Sequence, residues 1–151
     1  MKFKNEVRTI LIIDDDPDDY DIIVEAFREI DPDIRVHHVC TCDEARQYVN
    51  HHFDLVLLDI NMPGHDGFHW LKSIREKGYS TLPIIMYTNS LSPAHITKAY
   101  NEGANLYFSK PDSFQKLQSG LKELIRLDWS HPFSITEQYI KKGNYKVFEV
   151  A

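Results

Sequence analysis

Residues 55–59 read Leu55-Val56-Leu57-Leu58-Asp59, four apolar residues in succession and then a carboxylate. A strand with one face on solvent alternates apolar and polar residues. This one does not, which places it centrally in a sheet covered on both faces. The aspartate that ends it starts from a buried setting and needs a partner. The same form recurs along the chain: Asp14 and Asp15 follow the apolar run 9–13, Thr88 follows 84–87, and Lys110 follows 106–109. In a parallel sheet with helices between its strands, ligands bind at the carboxyl ends of the strands, so these residues are expected to converge on one edge.

Apolar runs of four to six residues alternate with longer segments of helical period, which reads as five repeated strand–helix units. The fold class is therefore α/β with a parallel sheet. The first strand, 9–13, is followed by Asp16-Pro17, a helix cap and first helical residue, with Ile22, Ile23, Ala26, Phe27 and Ile30 facing inward. The second strand, 34–39, is the most polar and belongs at an edge. Thr41-Cys42-Asp43-Glu44 has the form of a capping box, opening a helix with Ala45, Tyr48 and Val49 inward. Met62-Pro63-Gly64 breaks the chain before a third helix carrying Phe68, Leu71 and Ile74, which stops near Lys77-Gly78. A fourth strand, 83–87, leads to the cap and proline pair Ser92-Pro93; Gly103 closes that helix. Strand five, 106–109, precedes a helix marked by Phe114, Leu117, Leu121, Leu124 and Ile125. After Leu127 the pattern fails. The expected division is one domain over 1–127 and an extension, 128–151, without an independent domain. Its Trp129, Phe133, Tyr139, Tyr145 and Phe148 imply partial docking, and 146–150 are read as an edge strand for this chain or another.

Composition narrows the function classes. At 151 residues the chain supports one full core, and its formal charge of −6 argues against a direct nucleic-acid footprint, which needs a basic stripe. Much of that acidity is local, since residues 14–21 hold six aspartates. No segment has the length and apolarity of a membrane span, and Met1-Lys2-Phe3-Lys4-Asn5-Glu6 lacks the apolar core of a signal peptide, so a cytoplasmic protein is expected. Cys40 and Cys42 are read as buried reduced thiols, because no second cysteine pair exists to complete a tetrahedral zinc site. None of the eight histidines, His37-His38 and His51-His52 included, has the spacing of a strong metal site. His65 stands in the loop after Asp59, placed to contact a donor or tune a pH response. Trp70 reads as partly core.

Asp14, Asp15 and Asp59 within a few ångströms of one another would repel unless a cation neutralised them or one held a proton. Hard oxygen ligands suit Mg²⁺ or Mn²⁺. An aspartate beside such a metal is also a nucleophile able to take a phosphoryl group as an acyl phosphate, with the Lys110 ammonium, the Thr88 hydroxyl and backbone N–H groups stabilising the equatorial oxygens. The surrounding acids have plainer roles: Asp16 suits a cap, while Asp18, Asp19 and Asp21 complement the helix dipole and solvate the surface.

On these residues and their order, 8–127 resemble the receiver domain of two-component response regulators. The resemblance implies a flavodoxin-like, doubly wound three-layer sandwich of five (βα) units with strand order 2-1-3-4-5. It implies that Asp14 and Asp15 help bind Mg²⁺, the second directly, with Asn61 giving its backbone carbonyl. Asp59, 44 residues after Asp15 and followed by Asn61-Met62-Pro63-Gly64, matches the phosphoacceptor. Thr88 matches the switch hydroxyl, Lys110 with Pro111 the family's lysine, and Tyr107 the switch aromatic. A histidine kinase or histidine phosphotransfer protein would supply the phosphoryl group; Thr88 would then bond it, Tyr107 would turn inward, and the face of helix four, strand five and helix five would change for a downstream target or a homodimer.

A receiver of this kind is not an enzyme in the ordinary sense. Its rivals are an aspartate-nucleophile phosphatase, a flavodoxin-like cofactor protein and a phosphorylation-independent binding module. The phosphatase pattern puts nucleophile and general acid together after the first strand, whereas the best acceptor here follows the third. A flavin phosphate would be repelled by the triple aspartate and lacks a Ser/Thr/Gly cradle. Two positions depart from the family's habit. Asp112 stands where an aromatic is common, with Phe114 two positions on to supply the packing and Ser113 or Asp112 to cap the helix. Asn89 stands where a small residue is common, narrowing access for water or donor. Asn89→Ala is therefore expected to alter the lifetime of the aspartyl phosphate, and an unchanged dephosphorylation rate would remove that role.

Overall fold

The computed structural model describes residues 7–48, 53–61, 66–140 and 145–149. Val49, His51, His52, Met62, Pro63, Gly64, His65 and Val150, each given a place in the sequence reading, lie outside the described residues, as do residues 1–6. In chain order the elements are β1 (Thr9–Ile13), α1 (Pro17–Ile30), β2 (Arg35–Val39), α2 (Cys42–Tyr48), β3 (Leu55–Leu58), α3 (Gly67–Glu76), β4 (Ile84–Thr88), α4 (Pro93–Asn101), β5 (Leu106–Ser109), α5 (Phe114–Ile125) and α6 (Pro132–Tyr139). The five strands are parallel in the order β2-β1-β3-β4-β5, as expected.

Local chemistry starts and stops the helices where the sequence reading put them. Asp16 caps α1 by accepting from the Asp18 N–H, and Ser92 caps α4 by accepting from His95. Ser113 rather than Asp112 caps α5, accepting from Lys116, while Thr41 Oγ1 accepts from Glu44 at 3.1 Å. Each such cap contributes about 1 kcal/mol. Gly78 and Gly103 take φ of 98° and 109° just past α3 and α4, a conformation that favours glycine.

Alternation along each strand divides the core into two. Leu11, Ile13, Val56, Leu58, Met86 and Tyr107 face α3 and α4, where Trp70, Leu71, Ala99 and Tyr100 complete one cluster. Ile10, Ile12, Leu55, Leu57, Ile85 and Phe108 face α1 and α5, where Ile23, Phe27, Leu117 and Leu121 complete the other. All four β3 side chains are fully buried; each contributes about 1.5–3 kcal/mol relative to exposure. The result is a sheet sandwiched between two helical layers. No described helix is long and apolar enough to cross a membrane.

Several expectations need correction. Ile22 is 44% exposed, because the inner face of α1 is carried by Ile23, Ala26 and Phe27, and Ile22 lies a 100° step away from that face. Phe114 is 38% exposed and supplies no core packing: it is the first residue of α5, a turn before Leu117 reaches the sheet cluster. Cys40 is exposed and Cys42 buried, both free, because β2 ends at Val39 and Cys42 opens a helix. Beyond Leu127 a sixth helix, α6, follows, with Pro132 near its N-terminus and Ile135 buried. Residues 145–149 are not a strand; they meet β5 through the Phe148 N–H, which donates to Tyr107 O at 2.7 Å.

Gly67 fixes where α3 meets the sheet. A Cβ there would lie 2.1 Å from the Asp59 carbonyl oxygen, and the Gly67 N–H donates to Ile60 O at 2.7 Å. The contact is backbone on backbone, so it cannot be relieved by a rotamer. Gly67→Ala is expected to lower stability by about 1–3 kcal/mol through overpacking, read as a shift of the denaturant midpoint; an unshifted midpoint would mean that the α3 start yields freely.

Candidate functional site

The polar residues gather where the chain reverses direction across the sheet. From β1 it goes to β2 on one side and then, through α2, to β3 on the other, which opens a crevice at the strand ends. Ile13 pairs with Leu58, so the next residues, Asp14 and Asp59, come out side by side. Backbone bonds hold both: Asp14 N–H to Val39 O at 3.1 Å and Asp59 N–H to Ile13 O at 3.0 Å. Asp14 is 1% exposed and Asp59 7%, while Asp15 is open to solvent. One carboxylate oxygen from each of the three lies within 4.8 Å of the others. Among the described residues this is the group that could hold a metal ion.

Lys110, just beyond β5, reaches back over the strand ends. Its Nζ lies 2.9 Å from Asp14 Oδ2, 3.3 Å from Asp59 Oδ2 and 2.6 Å from Asp19 Oδ2, with only 8% of the side chain exposed. Its own N–H donates to Thr88 O at 2.8 Å, and the ammonium sits 5.4 Å from the centre of the Tyr87 ring. Burial disfavours the ammonium, but the hydrogen bonds to Asp19 and Asp14 outweigh it, so the Lys110 pKa is raised and the charge persists throughout the physiological range. Asp14 moves the other way in charge. Burial raises its pKa above the usual 3.8 despite the Asp16 N–H and Lys110, and the neighbouring Asp59 adds to the rise. One ammonium does not compensate the cluster of carboxylates around it.

Thr88, the last residue of β4, is fully buried, and its Oγ1 accepts from the Ser90 N–H at 3.5 Å. Tyr107 has no exposed surface, and its hydroxyl donates to Ser90 O at 2.8 Å. Asn61 is exposed, with its N–H 3.4 Å from Asp59 Oδ1. Asn89 is exposed beside Thr88. Beside Lys110 opens a groove of about 680 Å³ lined in part by Leu91, Phe108, Pro111, Val147 and Phe148.

Three residues of the site escaped the sequence reading. Asp19, taken there as a dipole and solvation residue, is the shortest partner of Lys110; its place in the first turn of α1 offers no sign of that. Gly67 supports Asp59 from behind. His38, which lacks the spacing of a metal ligand, stacks on Tyr20 at 4.4 Å and places Nε2 2.6 Å from the Asp14 carbonyl. A carbonyl only accepts, so that nitrogen carries the proton and the ring steadies the acidic turn.

The family described as the response regulator receiver domain matches residues 10–122. Response regulator Rre1 of Synechocystis sp. is 30% identical over 119 residues, covering 78% of this chain and 51% of its own length. The probable transcriptional regulator ycf29 of Porphyra purpurea is 36% identical over 103 residues, 67% of this chain and 47% of its own. The chain thus spans about half the length of these curated relatives. Among solved structures, the phosphorylated cyanobacterial phytochrome response regulator RcpA superposes with a TM-score of 0.74 at 25% identity, over 82% of this chain and 95% of its own.

The raised Asp14 pKa has a stability consequence. Folding favours the protonated acid, so the cost of its charge is absent below pH 3.8 and grows as pH rises through the folded-state value. Asp14→Asn removes that charge in nearly the same shape. At pH 7 without divalent metal it is expected to raise the unfolding midpoint, by about 2–4 °C for each 1 kcal/mol. The gain should fade as pH is lowered toward 3.8. Thermal melts across this range check it, and a lowered midpoint at pH 7 would count against it.

Proposed function

This chain belongs to the response regulator receiver family of two-component signalling, and from that membership we propose that it accepts a phosphoryl group on Asp59 in a Mg²⁺-dependent reaction and switches a protein-binding surface. The observation that carries the reading is Asp59 itself: nearly buried at the end of a central strand, close to two further carboxylates and 3.3 Å from a buried ammonium.

The donor is a histidine kinase or a histidine phosphotransfer protein. An Asp59 carboxylate oxygen attacks the phosphorus of phosphohistidine in line; the P–N bond breaks, its electron pair stays on the imidazole, and an O–P bond forms. Lys110 meets the charge on the transferred oxygens, and its ion pairs to Asp14 and Asp19 hold it in place beforehand. The donor set fits a hard divalent cation, since the one Lys110 is shared by Asp14, Asp19 and Asp59, Asp15 adds another carboxylate beside them, and burial already pushes Asp14 toward its neutral form. Asp14, Asp15, Asp59 and the Asn61 carbonyl would hold Mg²⁺, which supplies charge neutralisation at the phosphoryl oxygens when bound.

Thr88 is the hydroxyl that bonds the loaded group, and Tyr107 settles inward against the β4–α4 loop. The readout is the face of α4, β5 and α5, offered to a downstream target or a second copy. A switch of this kind needs only a few kcal/mol of difference between two packings.

Incubation with acetyl phosphate and Mg²⁺ is expected to add one phosphoryl group, seen by intact mass. Asp59→Asn and chelation should each abolish the adduct. A generic phosphomonoester should show no appreciable turnover. Adduct formation that persists in Asp59→Asn would move the acceptor elsewhere, and steady turnover would favour a phosphatase.

A further inference from the structure

β5 is an edge strand, and both backbone groups of Tyr107 point away from β4, where an exposed edge would leave them unpaired. Neither is free. The Tyr107 carbonyl accepts from the Phe148 N–H at 2.7 Å, and the Tyr107 N–H donates to the Tyr100 hydroxyl at 3.2 Å. That hydroxyl in turn donates to the Lys146 carbonyl at 2.6 Å. Side chains reinforce the backbone contacts. Tyr145 stacks on Tyr100 and donates to Asn101 Oδ1 at 3.1 Å, while Phe148, 6% exposed, sits edge-on to Phe108. The Lys146 N–H donates to Tyr139 O at the end of α6.

We propose that residues 145–149 are an intramolecular strap on the outer edge of β5, which holds Tyr107 in its buried position and so links occupancy of the edge to occupancy of the Asp59 site. Tyr145 and Val147 both pack on the cluster that contains the buried Tyr107 ring, so a ring displaced toward this edge would meet them. Strap closure and an outward ring compete for one space. On the other side, the buried ring bonds Ser90 O, and the Ser90 N–H bonds the Thr88 hydroxyl. A contiguous set of bonds therefore runs from the strap through Tyr107 and Ser90 to Thr88.

The sign of the linkage rests on the phosphoacceptor reading above. A phosphoryl group that draws Thr88 and settles Tyr107 inward selects the same arrangement as the closed strap. By reciprocity, whatever factor the phosphoryl group adds to strap closure, the strap adds to binding of the phosphoryl group. The segment that covers this face is thus an internal competitor for any partner strand that would add to β5.

Amide hydrogen exchange at Phe148 in the full chain, with and without beryllofluoride and Mg²⁺, tests the inference. Protection is expected in the free chain, and beryllofluoride should slow exchange further by about tenfold, within the usual range of coupling between sites. Tyr100→Phe keeps the ring but deletes the hydroxyl that bridges Tyr107 and Lys146, and Phe148→Ala removes the anchor. Each should speed exchange, and affinity for beryllofluoride should fall only as far as the strap opens, up to the factor that removing it costs. A chain ending at Gly143 should show the full loss of affinity.

Unprotected exchange at Phe148 in the free chain would overturn the strap. Protection that grows with protein concentration would give the edge to a second copy instead. Faster exchange with beryllofluoride, or affinity unmoved by removal of the strap, would overturn the linkage while leaving the phosphoacceptor reading intact. Absence of any Asp59-dependent beryllofluoride binding would sink that reading, and the linkage with it; exchange in the free chain would still decide the strap.

Discussion

One buried ammonium organises this edge of the molecule. Lys110 comes from beyond β5 and meets Asp14 from β1, Asp59 from β3 and Asp19 from α1, so a single side chain ties four elements at the point where the sheet reverses direction. The sheet's two buried faces force this arrangement. Strands that are apolar on both sides can place charge only at their ends, and a charge so placed keeps its ionised form only with a partner. Burial, with a smaller push from Asp59, makes Asp14 lean toward protonation, while the bonds to Asp19 and Asp14 make Lys110 hold its proton more tightly than usual. Asp14, Asp15 and Asp59 there form a group that could hold a metal ion.

The far layer is held by polar contacts of a different kind. Arg75 on α3 donates to Gly103 O, Tyr79 O, Leu82 O and the Asn105 side chain, and burial lowers its pKa to about 10. Asn105, 1% exposed, also accepts from the Ile84 N–H and donates to Thr136 Oγ1 on α6. The net result is a rigid end to the sheet away from the site. It docks α6 through Thr136 and so fixes the position from which the chain approaches the edge of β5. Breaking one member of such a network leaves the others unsatisfied, at about 1–3 kcal/mol for each buried group.

Edge strands also explain the asymmetry of the sheet. β2, on one side, is the most polar strand and leaves alternate residues in water. β5, on the other, is apolar through Leu106, Tyr107 and Phe108 and has its outer backbone covered by residues 145–149. The first edge is protected by composition and the second by occupancy. Protection by occupancy can be withdrawn, which is the property a regulated surface requires.

The residues of β1, β3 and β5, the capped starts of α1, α4 and α5 and the parallel arrangement were all legible in the sequence, because periodicity, caps and prolines are local signals read within a few residues. So was the gathering of Asp14, Asp15, Asp59, Thr88 and Lys110 on one edge, since in a parallel sheet the strand ends share a side whatever the details of packing. Other features depend on distances between elements that no local pattern carries. Asp18 and Asp19 are indistinguishable as first-turn acids, yet only the pitch of α1 against β5 brings Asp19 to Lys110. Gly67 matters because the Asp59 carbonyl lies where its Cβ would be. The failure of periodicity after Leu127 concealed α6, whose burial comes from contacts with the sheet and not from a repeat of its own; the docking of 146–148 on an edge was legible in their aromatic and apolar residues, but not that they would meet β5 without forming a strand. Which residues end the strands follows from local apolar runs and the polar residue after each; which partners those residues meet follows from how whole elements pack, because a partner is set by distances between elements.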